Sequence, residues 1–113
     1  MTSAPYIPEA GDLIWLNLDP RTGHEQSGHR PVLVVSPKKL AQRVGLAIVC
    51  PITSNIKGLP GEVILTGTKT KGVIMPIHVR IVDTHARSAV FIEAVPQVIL
   101  IKVRKRLGLF LGL

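Results

Sequence analysis

Pro31-Val32-Leu33-Val34-Val35-Ser36 is an apolar run of strand length, opened by a proline at the position where a strand tolerates one. Directly before it stand Gly23-His24-Glu25-Gln26-Ser27-Gly28-His29-Arg30, which place two imidazoles, a carboxylate and a guanidinium within seven residues. That segment has no apolar period and reads as a loop. Ionisable groups that run straight into a buried strand point to short strands around a small core, with chemistry at the rim.

Reading outward gives more of the same. Upstream, Asp12 to Leu18 is rich in strand formers, and Asp19-Pro20 ends it. The stretch from Asp19 to His29 is long for a loop in so small a domain, a length more often functional than not. Downstream, Pro37 to Arg43 is a short turn or helical piece, and Gly45 to Ile52 is a third strand. Thr53 to Pro60 is a polar loop, Glu62 to Thr66 a fourth strand, and Gly67 to Gly72 a turn. An extended run begins at Val73 and Ile74, is interrupted at Pro76, and resumes from Ile77 to Val82. After a polar turn at Asp83 to Ser88, Val90 to Ile92 is a last short strand. Pro96 suits a first helical position, and Gln97 to Leu107 is a closing helix that Gly108 ends. Lys102, Arg104, Lys105 and Arg106 fall in its last turns, where they oppose the negative end of the helix dipole. Many short strands with one terminal helix predict a mainly β fold, a strongly bent β-barrel with short helices.

The chain has 113 residues, enough for one hydrophobic core, so residues 1–113 are expected to form a single domain. Hydrophobic residues make up 46% and charged residues 19%, a globular balance, and no apolar run approaches the roughly 18 to 20 residues of a membrane span. Met1-Thr2-Ser3-Ala4-Pro5 lacks the basic and apolar regions of a secretory signal, so a soluble cytoplasmic protein is expected. The lone Cys50 sits in Leu46-Ala47-Ile48-Val49-Cys50, a setting for packing rather than reactivity. The net charge is +7. Residues 1 to 30 hold four acidic side chains against two basic, and the rest of the chain three against twelve, so the body is strongly cationic and favours polyanionic partners.

Several chemistries leave no trace. The histidines show no His-x-x-x-His pairing and one cysteine makes no cluster, so no metal or other cofactor is expected. There is no phosphate loop ending in Lys-Ser/Thr and no Gly-x-Ser-x-Gly elbow. What remains is the loop before Pro31. Side chains of the types in His24, Glu25, His29 and Arg30 supply a proton acceptor, a proton donor and a fixed positive charge, the parts needed to move protons around a phosphodiester.

Gly11-Asp12-Leu13-Ile14-Trp15, Asp19-Pro20, Gly23-His24-Glu25-Gln26-x-Gly28-His29-Arg30-Pro31-Val32-Leu33-Val34-Val35-Ser36, Cys50-Pro51-Ile52-Thr53-Ser54, Lys57-Gly58-x-Pro60-x-Glu62-Val63 and Lys71-Gly72-Val73 follow one another in order. Together they resemble the MazF/PemK family of toxin endoribonucleases. The resemblance implies an SH3-like barrel of the MazF/PemK/CcdB type with a C-terminal helix, found as a homodimer. It implies metal-independent, sequence-specific cleavage of single-stranded messenger RNA, leaving a 2′,3′-cyclic phosphate and a 5′-hydroxyl, with no membrane partner. It also implies a cognate MazE-like antitoxin whose acidic tail occupies the RNA groove.

In that chemistry the ribose 2′-hydroxyl is the nucleophile. Arg30 is the candidate to hold the phosphate, because its planar guanidinium donates to two oxygens at once. Thr53 is the candidate hydroxyl donor to the scissile phosphate, with Ser54 assisting. Glu25 and His24 are the candidate base and acid, and which of them is the general base stays open. Gln26, Ser27, His29, Ser54, Lys57, His78 and Arg80 are candidate RNA contacts. The segment after Gly72-Val73 departs from the family: Met75 stands where one branch carries an Arg, and Ile77 where members commonly carry an Asp. His78 is the nearest replacement, although strand alternation turns it away unless Pro76 introduces a bulge. Two other classes fit less well: a gyrase-directed toxin on the same barrel, which needs no catalytic loop, and a noncatalytic RNA-binding module, for which 4% aromatic residues leave few stacking platforms.

Overall fold

The computed structural model describes residues 5–18, 29–56 and 58–113. Its centre is three antiparallel strands. β1 (Asp12–Asn17) pairs with β2 (His29–Val34), setting Leu13 opposite Leu33, Leu16 opposite Arg30 and Asn17 opposite His29. β3 (Ala47–Thr53) lies on the other side of β2, with Val32 opposite Pro51 and Val34 opposite Val49. Both faces of this unit are apolar. Leu13, Leu33, Cys50 and Ile52 belong to one buried cluster, and Ile14, Leu16, Val32, Val34 and Val49 to another. Burial on both faces is why the sequence runs apolar without alternating from Val32 to Val35.

The two clusters have different covers. Helix α2 (Gln97–Phe110) lays Ile99, Leu100 and Val103, residues on one helical face, onto the first. Arg104 fixes α2 to the end of β2, its guanidinium donating to the Val35 carbonyl at 2.9 and 3.2 Å. Ala89 packs on the second cluster after the turn over residues 83–88, which is tied to β1 by Asn17 N–H donating to the Arg87 carbonyl and an Arg87 side-chain N–H donating to the Asn17 carbonyl, each at 3.0 Å. A short helix α1 (Lys38–Val44) joins β2 to β3 and ends at Gly45, whose φ of 75° permits the left-handed cap.

The second edge of β3 has two partners in succession. β4 (Val63–Ile64) and β5 (Val73–Ile74) form a hairpin, and β5 pairs with the Ile52–Thr53 end of β3. The chain then makes a 3₁₀ turn at Pro76–His78, and β6 (Arg80–Val82) pairs with Ala47–Val49. β7 (Val90–Ala94) lies against the free edge of β1, with an irregularity between Leu13 and Ile14. The sheet order is β4-β5-β3-β2-β1-β7, with β6 on β3.

The expected mainly β class is found, as one antiparallel sheet with two α-helices. Closure into a barrel is not, since among the described residues the outer strands β4 and β7 are not paired to each other. β2 starts at His29, two residues before the expected Pro31, because its pairing to β1 extends past the proline. The interruption expected at Pro76 is a 3₁₀ turn. α2 runs through Gly108 to Phe110, so the basic residues lie upstream of its last turn and do not compensate its dipole there. One glycine costs a helix only about 1 kcal/mol, and the Leu113 N–H donating to the Gly108 carbonyl at 2.8 Å closes the end. No helix among the described residues is long and apolar enough to cross a membrane.

Candidate active site

The ends of β1, β2 and β3 define a groove of about 600 Å³, lined by Trp15, Leu18, His29, Arg30, Pro31, Pro51, Ile52, Thr53, Ser54, Asn55 and Lys71. Its geometry follows from register. Val32 faces Pro51 in the last pair of the β2–β3 ladder, and Arg30 and Thr53 lie two residues beyond it on their strands, each on the side of the sheet that this pair faces. Arg30 is exposed at the start of β2, and Thr53 is half-buried at the end of β3. Both side chains therefore stand on paired strands rather than on loops, which fixes their separation.

Thr53 is further prepared as a donor. Its Oγ1 accepts a hydrogen bond from the Asn55 N–H at 3.2 Å, which occupies the oxygen and leaves the hydroxyl proton for another acceptor. The backbone beneath Thr53 is tightly packed. Gly72 has φ of 137°, and a Cβ there would lie 2.6 Å from the Thr53 carbonyl oxygen and 3.0 Å from Ile52 Cγ2. Only glycine lets the β4–β5 turn pass this close to β3. The charged lining residues are Arg30 and Lys71, and no carboxylate is among the described residues of the lining. The groove is thus cationic and rich in donors, a surface for phosphate oxygens.

The sequence-predicted residues divide three ways. Arg30, Thr53, His29 and Ser54 come together in this groove. His24, Glu25, Gln26, Ser27 and Lys57 lie outside the described residues, although Leu18 and His29, the described residues that bracket the first four, both line it. His78 and Arg80 are not brought to it. His78 is exposed in the 3₁₀ turn, and Arg80 lines a second groove that shares no residue with the first. The two departures from the family pattern are elsewhere as well: Met75 is buried, and Ile77 lines the second groove. That groove, of about 970 Å³, is walled by apolar side chains including Leu40, Val79, Ile81, Phe110, Leu111 and Leu113, and has little polar chemistry to offer.

Of the polar and aromatic lining residues, three were not anticipated. Asn55 and Lys71 lie in turns, where polar side chains carry no signal of their own. Trp15 lies in the expected first strand, where the sequence assigns it no site role; it is 37% exposed and its ring lies 5.0 Å from that of His29, tilted by 37°. Elsewhere, burial pushes the Cys50 thiol up to about 12, which keeps it protonated and inert. Burial and then the Asp12 carboxylate, which accepts a hydrogen bond from the Tyr6 hydroxyl, push the Tyr6 phenol well above its usual range. Neither group lines the groove. Among the described residues no three His, Cys, Asp or Glu side chains gather as metal ligands.

The whole arrangement has close counterparts. A family model described as PemK-like, MazF-like toxin of type II toxin-antitoxin system matches residues 9–111. The endoribonuclease toxin MazF of Escherichia coli (strain K12) is 42% identical over 84 residues, covering 74% of this chain and 76% of that protein. A crystal structure of MazF from Deinococcus radiodurans superposes with a TM-score of 0.85 at 43% identity, covering 96% of this chain and all of that one. A MazE–MazF crystal structure from the same organism gives 0.84 at 38% identity, over 96% of this chain and 99% of that one. With this match over nearly its full length, the chain belongs to the PemK-like, MazF-like toxins of type II toxin-antitoxin systems.

Proposed function

We propose that this protein is a sequence-specific, metal-independent endoribonuclease toxin that cuts single-stranded messenger RNA and so blocks translation. The observation that carries the reading is the meeting of Arg30 from β2 and Thr53 from β3 in one cationic groove. Arg30 holds two non-bridging oxygens of the scissile phosphate, and the Thr53 hydroxyl donates to the same group. Ser54 and Lys71 line the path of the backbone. The 2′-hydroxyl of the preceding ribose attacks phosphorus, its proton passes to one of Glu25 and His24, the bond from phosphorus to the 5′-oxygen breaks, and that oxygen takes up a proton from the other. The products are a 2′,3′-cyclic phosphate and a 5′-hydroxyl. Charge on the phosphorane grows as the new bond forms, so donors fixed on strands stabilise the transition state more than the ground state.

Three further readings accompany it. The sheet coils towards an SH3-like barrel of the MazF/PemK/CcdB type, with the Glu93 carboxylate of β7 bonded to the turn between β4 and β5 where the two sheet ends meet. A MazE-like antitoxin with an acidic tail competes for the groove through the same charges that attract RNA. Two copies of the chain associate through the apolar groove, where Ile81, Phe110, Leu111 and Leu113 are 63%, 44%, 73% and 92% exposed, more apolar surface than a lone domain usually leaves in water.

The test is direct. Purified protein incubated with a long single-stranded RNA in excess EDTA should give discrete fragments. RNA retained without cuts would support the noncatalytic binding module, and inhibition of gyrase without cuts would support the gyrase-directed toxin.

A further inference from the structure

β1 leaves its largest side chain out of both apolar clusters. Leu13, Ile14 and Leu16 are completely buried, while Trp15 between them stays more than a third exposed and lines the polar groove. The other aromatic side chains are employed elsewhere: Tyr6 packs on Phe91, and Phe110 lines the apolar groove. An indole set among Arg30, Thr53, Ser54 and Lys71 satisfies no packing requirement of the fold.

We propose that Trp15 is a specificity-determining residue of the groove, a platform on which one nucleobase next to the scissile phosphate stacks, with His29 as the ring that holds the indole in place. Trp15 is opposite Pro31, the residue after Arg30, on the neighbouring strand. Both Trp15 and Arg30 line the same groove, so a phosphate held there leaves its base within reach of the indole. Arg30 and Thr53 hold the backbone of any RNA and discriminate nothing; a flat apolar surface beside them fixes the base, and with it the register of the chain in the groove. The tilt of His29 against Trp15 restrains the indole about its side-chain torsions, as a stacking platform requires. This inference rests on the nuclease reading and adds a position to it.

Trp15 is the only tryptophan of the chain, so its fluorescence reports on the groove without a label. A short RNA spanning a mapped cut, with 2′-deoxyribose at the cut nucleotide, is titrated into the protein, and then a series in which each position in turn is abasic. The fluorescence should be quenched by the intact oligonucleotide. One abasic position should lose most of the quenching and weaken Kd roughly tenfold, the scale of one lost base–aromatic stack. Trp15→Leu should weaken Kd by a similar factor and raise KM more than it lowers kcat, while Trp15→Phe should retain most of the affinity. A flat abasic series, or a folded Trp15→Leu protein with unchanged Kd, would overturn the stacking role while leaving the nuclease in place. If Trp15→Leu does not fold, the abasic series on the wild type decides. A wild type that neither binds nor cuts RNA would overturn both readings together.

Discussion

Glu93 in β7 accepts two hydrogen bonds from Thr70 on one carboxylate oxygen, from the backbone N–H and from the hydroxyl, both at 2.8 Å. Its other oxygen accepts from the Lys69 N–H at 3.1 Å. One side chain thereby joins the last strand of the sheet to the turn that follows the first, a link that strand pairing does not provide.

These bonds hold the Glu93 carboxyl below its ordinary value of 4.5, the Thr70 N–H contributing most and the Lys69 N–H next. A folded-state value lower than the unfolded one means that the stabilisation is complete above about pH 4.5 and is lost as the pH falls through the folded value. Thermal denaturation at neutral pH should show Glu93→Gln melting a few degrees below the wild type, and Glu93→Ala lower still. Below the folded-state value the gap between wild type and Glu93→Gln should close. A constant gap at all pH values would mean that the charge has no part in the link.

Gly72, half-buried at the end of the β4–β5 turn, should resist replacement. A methyl group would press on the carbonyl of Thr53, and the backbone conformation disfavours any side chain. Gly72→Ala should cost about 1–3 kcal/mol in chemical denaturation. It should also slow RNA cleavage, because the strand end that moves carries the Thr53 hydroxyl. Loss of stability with unchanged kcat would separate this contact from the site.

Arg30 and Thr53 make opposite predictions about conservative change. Arg30→Lys keeps the charge but loses the planar pair of donors, so it should fall nearly as far as Arg30→Ala, on the order of 10²-fold or more in kcat. Thr53→Ser keeps the hydroxyl and should retain most activity, whereas Thr53→Val removes it and should lose on the order of 10²-fold. Circular dichroism should leave the Arg30 variants unchanged, since that side chain is exposed.

Much of this was readable in the sequence, and the failures have physical causes. β1, β3 and α2 announced themselves by apolar runs and by Pro96. Pro31 read as a strand start, but the ladder to β1 continues past it, so His29 and Arg30 belong to a strand and inherit its rigidity. Two-residue strands such as β4 are too short for a period to locate their ends, and they exist through pairing alone. Arg80 looked like an RNA contact because it is basic, but the 3₁₀ turn at Pro76–His78 carries the chain round to the apolar groove. Trp15 was hidden because an exposed aromatic in a strand is indistinguishable from a buried one without the fold.

The apolar groove predicts an oligomer. Leu111→Asp places a charge on an exposed part of its wall and should convert a dimer to a monomer in sedimentation equilibrium, while leaving the melting of the isolated domain almost unchanged. A wild type that is monomeric at high micromolar concentration would contradict the proposed association.

The central claim is that ribose attacks its own phosphate in the groove between Arg30 and Thr53. The measurement closest to it is cleavage of an RNA with a single mapped cut site, compared with the same RNA carrying one 2′-deoxyribose at the cut nucleotide. The account predicts a 2′,3′-cyclic phosphate and a 5′-hydroxyl from the first, and binding without cleavage for the second. Cleavage of the deoxy-substituted RNA at the same bond would contradict it.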